Sequence, residues 1–155
     1  MNKTILMRKS VILTMISAIL LFAQCVPTKK TDSLIGVATA PNWIQGEWEG
    51  VGYQLNSAGN WSIRLNVKED RYSIAYPSLE CSGNWQLQKQ SDMKLEFIET
   101  ITKGTDKCVN KGRIVITKVD ENHVTFTYFS PNSGELEAFS TLIIKSYLDK
   151  LKTRT

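Results

Sequence analysis

The 155-residue chain holds a single histidine, three cysteines and four prolines, and each shortage excludes a class of chemistry. His123 stands at a strand start beside Asp120 and Glu121, where it reads as a solvated turn residue; no second base accompanies it, and no serine lies in a nucleophile-elbow pattern. Two cysteines outside the N-terminal segment, without a C-x-x-C pair and with one distant histidine, cannot supply four metal ligands. No glycine-rich phosphate loop precedes a helical pattern. Catalysis, a metal and a bound cofactor are therefore not expected. The formal charge of +4 hints at nucleic acid, but Lys3, Arg8 and Lys9 account for most of it. Beyond residue 24 the signs almost balance, without the concentrated basic face that counterion release requires, so no nucleic acid is expected as a partner.

The first 24 residues read as an export signal. A basic start leads into the charge-free run Val11–Ala23, which is shorter than the about 20 residues of a spanning helix. The stretch Leu21-Phe22-Ala23-Gln24-Cys25 resembles a bacterial lipoprotein signal, in which the cysteine becomes the lipidated first residue. The resemblance implies a membrane partner, reached through a lipid on Cys25, and a place in the periplasm, on the outer membrane or at the cell surface; simple secretion is the alternative. Residues 25–42 mix small, polar and breaker residues and read as a tether.

From Trp43 the period becomes two. In "WSIRLNV", Trp61, Ile63, Leu65 and Val67 share one face and Ser62, Arg64 and Asn66 the other. "YSIAY", "KLEFIETI", "RIVITKV", "HVTFTYF" and "ELEAFSTLII" repeat the alternation, which puts one face on a core and one in water. With strands near 46–55 and 84–88, eight short strands are separated by turn signals, and no stretch of ten helical residues provides a parallel crossover. The expected fold is all-β: an antiparallel up-and-down eight-stranded barrel over 43–146, since closure removes exposed edges, with a β-sandwich as the alternative. A basic tail over 147–155 follows, with room for one short helical turn in "SYLDKL".

The stretch "YPSLECSGNW" reads as strand, corner, strand. Pro77 has no amide hydrogen and stops the strand before it, and Gly83 permits a tight approach or a positive φ at the start of the next. Cys81 and Cys108 both lie in turn-rich segments. In an oxidising compartment the default is that they pair.

Glu99 breaks the pattern: alternation sets it on the same face as Leu95, Phe97 and Ile101. A bulge could turn it outward, or the faces could be reversed so that Ile98 is inside. It could also form a structural ion pair, with Arg113 and Lys145 at strand ends within reach, or it could point inward as a carboxylate that meets a ligand at the barrel mouth. Trp61, Tyr76 and Trp85 are the accompanying candidates for ligand contact, although aromatics on the inner period more often fill a core.

Gly46-Glu47-Trp48 resembles the G-x-W that opens the first strand of lipocalins and related eight-stranded barrels. The likeness implies that Trp48 closes one barrel end; where those proteins carry an arginine on the last strand to cover the tryptophan, this chain offers Lys145. The series "GEWEG", "YPSLECSGNW" and "EFIETITKGTDKC", across 46–108, is similar to small exported bacterial β domains without an established function. That similarity implies the Cys81–Cys108 pairing and some role for Glu99, but no activity. The expected function is a non-catalytic, lipid-anchored binding or accessory module of the cell envelope that holds a small apolar ligand or an envelope protein. The alternative is an inhibitor of an extracellular or periplasmic enzyme, probing a cleft with "SLIGVATAP".

Overall fold

The computed structural model describes residues 39–154; the segments read as an export signal and a tether, with Cys25, lie outside the described residues through residue 38. Eight antiparallel strands follow in chain order: β1 (Gly46–Gln54), β2 (Asn60–Lys68), β3 (Arg71–Tyr76), β4 (Cys81–Gln90), β5 (Lys94–Lys103), β6 (Arg113–Lys118), β7 (His123–Phe129) and β8 (Leu136–Ile144). Each pairs with its neighbour in sequence, and β8 returns to β1, closing an up-and-down barrel. The period-two pattern drives this result. Ile63, Leu65, Val67, Leu95, Phe97, Ile114, Ile116, Val124, Phe126 and Leu142 are all buried inside, while Arg64 and Lys94 point outward to Glu49 and Glu96.

The barrel has unlike ends. At one, a 3-10 turn over Asn42–Ile44 folds across the opening. Ile44 and Trp48 are fully buried, and Trp48 Nε1–H donates to the Ile44 carbonyl at 2.8 Å. Gln45 locks the turn through a reciprocal pair of bonds with the Glu69 backbone, at 2.9 and 3.0 Å. Trp48 thus sits at a closed end, but Lys145 does not cover it; the Lys145 ammonium pairs outward with Glu47 at 2.8 Å. Gly46, at φ +113°, starts β1 from this corner, a backbone state that glycine tolerates best.

Two boundaries differ from the sequence reading. Ala40 is buried in the core cluster, so the domain begins before residue 43. The C-terminal residues form a two-turn helix, α1 (Lys145–Lys152), in place of a tail with one short turn. The alternation ends at Lys145, and Tyr147 and Leu148 lie half-buried, with Tyr147 edge-on to His123 at 5.9 Å. Lys150 and Lys152 in the last turn suit the negative end of the helix dipole. No helix among the described residues is long and apolar enough to cross a membrane.

The other end is a mouth, framed by the loops after β1, β3, β5 and β7. After Tyr76 the chain makes a 3-10 turn over Pro77–Leu79, with Pro77 at its first position, and Glu80 reverses it at φ +57°. Cys81 is therefore already the first residue of β4, paired with Tyr76, rather than part of a turn. Its disulfide to Cys108 clasps the long β5–β6 loop to the rim, with Cα atoms 6.4 Å apart. Of the two uses expected of Gly83, close approach is the one realised. A Cβ there would fall 2.0 Å from the Thr100 carbonyl oxygen, beside a register shift between Ser82 and Gly83.

Candidate functional site

The interior is filled from the closed end upward but not to the brim. Tyr72, Phe97, Trp85 and Phe126 form a chain of ring contacts with centroids 4.7, 5.4 and 5.9 Å apart, and this aromatic layer packs the middle. Above it lies a cavity of about 220 Å3, lined by Trp61, Tyr76, Glu99, Phe126, Tyr128 and Ala138, with Cys108, Val109, Lys107 and Glu137 at its rim. On the inward phase of β1, Gly50 and Gly52 yield their side-chain space to neighbours, since a Cβ would meet Leu142 at the first and the Trp61 ring at the second, while Ala138 is the small residue that β8 contributes to the cavity lining. A Cβ at Gly52 would meet the Trp61 ring at 2.7 Å, and one at Gly112 would meet the Tyr128 ring at 2.1 Å. These two glycines let bulky rings lean into the mouth.

Glu99 is 2 % exposed. No bulge turns it out, because β5 stays in register there, with Glu99 opposite Trp85. Its backbone is pinned on the other side by the returning loop: Glu99 N donates to the Gly112 carbonyl at 2.9 Å and its carbonyl accepts from Lys111 N at 3.1 Å. Side-chain Oε1 accepts from the Tyr76 hydroxyl at 2.6 Å and from Trp85 Nε1–H at 3.0 Å. Oε2 takes no hydrogen bond among the described residues.

The ion pair that was one alternative for Glu99 does not form among the described residues. Arg113 stacks over the Phe129 ring at 3.8 Å, Lys145 is held by Glu47 at the far end, and Lys107 at the rim pairs with Glu80. Long basic side chains at strand ends reach solvent more cheaply than the interior, so none enters to neutralise the carboxylate.

The electrostatics follow from burial. Desolvation raises the Glu99 pKa above the usual carboxylate range, and the bonds from Tyr76 and Trp85 offset only part of that rise. Tyr76 is raised well above an ordinary phenol, first by burial and then by the Glu99 charge. Tyr128 is pushed up to about 12 by the same two causes, in the same order. The Tyr128 hydroxyl is buried without a hydrogen-bond partner among the described residues.

Of the four residues proposed for ligand contact, Trp61, Tyr76 and Glu99 line the cavity, whereas Trp85 lies one layer deeper and serves as a donor to Glu99. The sequence reading missed Tyr128 and Phe126 as lining residues; their place on the inward phase of "HVTFTYF" was the available signal. His123 is the first residue of β7, paired with Ile143, rather than a turn residue; its Nδ1 lies 2.9 Å from Asp120, outside the barrel. Among the described residues, no group of three histidine, cysteine or acidic side chains could hold a metal ion.

No family model matches this chain, and neither a curated protein nor a solved structure matches it.

Proposed function

We propose that the protein is a non-catalytic binding module of the bacterial cell envelope, exported and anchored through a lipid on Cys25, that takes a small ligand into its mouth. The observation that carries this reading is the cavity of about 220 Å3 with a buried, cation-free carboxylate in its wall. Burying a charge without a counter-charge costs several kcal/mol, an expense that a packing residue has no reason to impose. A ligand that completes the site gives it one. The similarity to small exported β domains, and to lipocalins through Gly46-Glu47-Trp48, accords with the same reading.

An inhibitor of an extracellular or periplasmic enzyme is the alternative. Its probe "SLIGVATAP" would lose its last residues to the fold, since Ala40 is buried and the Pro41 carbonyl accepts from Ile44 N. Mass spectrometry of the mature N-terminus separates the two readings. A diacylglyceryl cysteine at residue 25 is expected. A free, unmodified N-terminus beyond residue 25 would overturn the anchored module and favour the inhibitor.

A further inference from the structure

The mouth has a definite chemical deficit. Glu99 Oε1 is saturated by two donors, while Oε2 lines a cavity without a partner among the described residues. The Tyr128 hydroxyl, buried in the same lining, likewise lacks one. One carboxylate oxygen without a partner and one buried phenol without a partner therefore lie in a single lining, and the space carries no positive charge of its own beyond Lys107, whose ammonium pairs with Glu80 at the rim. A second rim carboxylate, Glu137, adds to the negative potential. Of the remaining lining, Trp61, Tyr76, Phe126 and Tyr128 supply four rings beside aliphatic residues and the Gln54 amide, and aromatic faces attract cations.

From this juxtaposition we propose that the cavity binds a small organic cation, a primary ammonium group carried on a compact apolar body. The proposal rests on the binding-module reading above and names the ligand class for the same site. An ammonium group brings three donors and no acceptor, which suits the carboxylate oxygen left without a partner, and supplies the charge that the buried carboxylate lacks. An anion would face Glu99 and Glu137 together. A neutral donor would satisfy the hydrogen bonds and leave the charge uncompensated. Size limits the apolar body: a cavity of about 150 Å3 holds one benzene, so 220 Å3 accommodates a single ring with a two-carbon amine arm.

The test uses the mature domain and three probes of one shape: 2-phenylethylamine, neutral 2-phenylethanol and anionic 3-phenylpropanoate. Each is titrated into the millimolar range and followed by calorimetry and by tryptophan fluorescence, since Trp61 lines the cavity and Trp85 contacts Glu99. At pH 8 the amine is expected to bind at least tenfold more tightly than the alcohol, with the anion weakest. Glu99→Gln should bring amine and alcohol to within about threefold of each other.

Because that variant can fail to fold, the wild-type pH profile is a second measurement. Tyr76 on β3 and Tyr128 on β7 face Glu99 and titrate far above neutrality, while Glu137, Glu80 and Lys107 stand at the rim. Lowering the pH through the raised Glu99 range should weaken the amine and not the alcohol. Equal affinity for alcohol and amine, tighter binding of the anion, or a pH-independent preference would each overturn the cation assignment while leaving a binding cup. Binding of none of the three would overturn both the assignment and the cup.

Discussion

The disulfide between Cys81 and Cys108 closes a loop with a sequence separation of 27. Opening it, by reduction or by Cys81→Ala with Cys108→Ala, returns that loop's freedom to the unfolded chain. The chain-entropy relation puts the loss at about 3.6 kcal/mol at 25 °C. For a domain of roughly 115 residues, an unfolding entropy of about 2.1 cal/mol/K per residue makes the melting temperature fall by roughly 15 °C. Reduction of the wild type isolates the cross-link. The double variant also removes sulfur from a site where Cys81 is 2 % exposed, so it should lose somewhat more through packing. The assay is urea unfolding of oxidised and reduced protein, with thermal melts in parallel. All eight strands pair without help from the cross-link, so the reduced protein should still fold, with only the rim loosened. A stability difference below about 1 kcal/mol would show that the β5–β6 loop is already restrained in the unfolded chain, refuting the loop-entropy argument.

Two further outcomes follow from the same geometry. Glu99 has a folded-state pKa above its unfolded value, so the fold binds its proton more tightly; its stability contribution is fully present below the ordinary carboxylate pKa and is lost as pH rises through the raised one. Relative to wild type, Glu99→Gln should therefore become progressively more stable as pH increases across that window, as read by urea midpoints; parallel curves would show that the carboxylate is not desolvated. The paired Glu47, Glu96 and Asp120 have lowered pKa values and act in the opposite sense at more acid pH, so the two effects separate. Gly83→Ala forces a Cβ to within 2.0 Å of the Thr100 oxygen and 2.8 Å of Ile101 Cα, both backbone, and should cost about 1–3 kcal/mol by denaturation. Gly59→Ala, whose nearest neighbour would be the Ser57 hydroxyl at 3.3 Å, should change stability by less than about 0.5 kcal/mol; equal costs at both sites would refute the close-approach account.

The alternation in "WSIRLNV", "YSIAY" and "HVTFTYF" determined which side of each strand is greasy, and the short turns between them left only neighbour-to-neighbour pairing. Period two is a local property, so strand count, facing and the inward phase of Glu99 were legible without coordinates. The two cysteines named each other because no third remained in that part of the chain. What pairs with the Glu99 carboxylate is not local. Tyr76 and Trp85 reach Oε1 from β3 and β4 because barrel curvature brings those strands round, and no spacing in the sequence encodes those distances.

Hollowness belongs to the same category. Tyr76 of β3, Glu99 of β5, Tyr128 of β7 and Ala138 of β8 lie far apart in sequence and line one cavity only because β8 returns to β1 and closes the barrel. Likewise residues 40–42 read as tether, yet Ala40 is buried and Asn42 opens the turn that sets Ile44 over the barrel end. One-dimensional hydrophobic patterning decides where a side chain faces. Only the closed sheet decides what it faces, because volume, unpaired acceptors and missing charge are sums over strands that the chain brings together after long excursions.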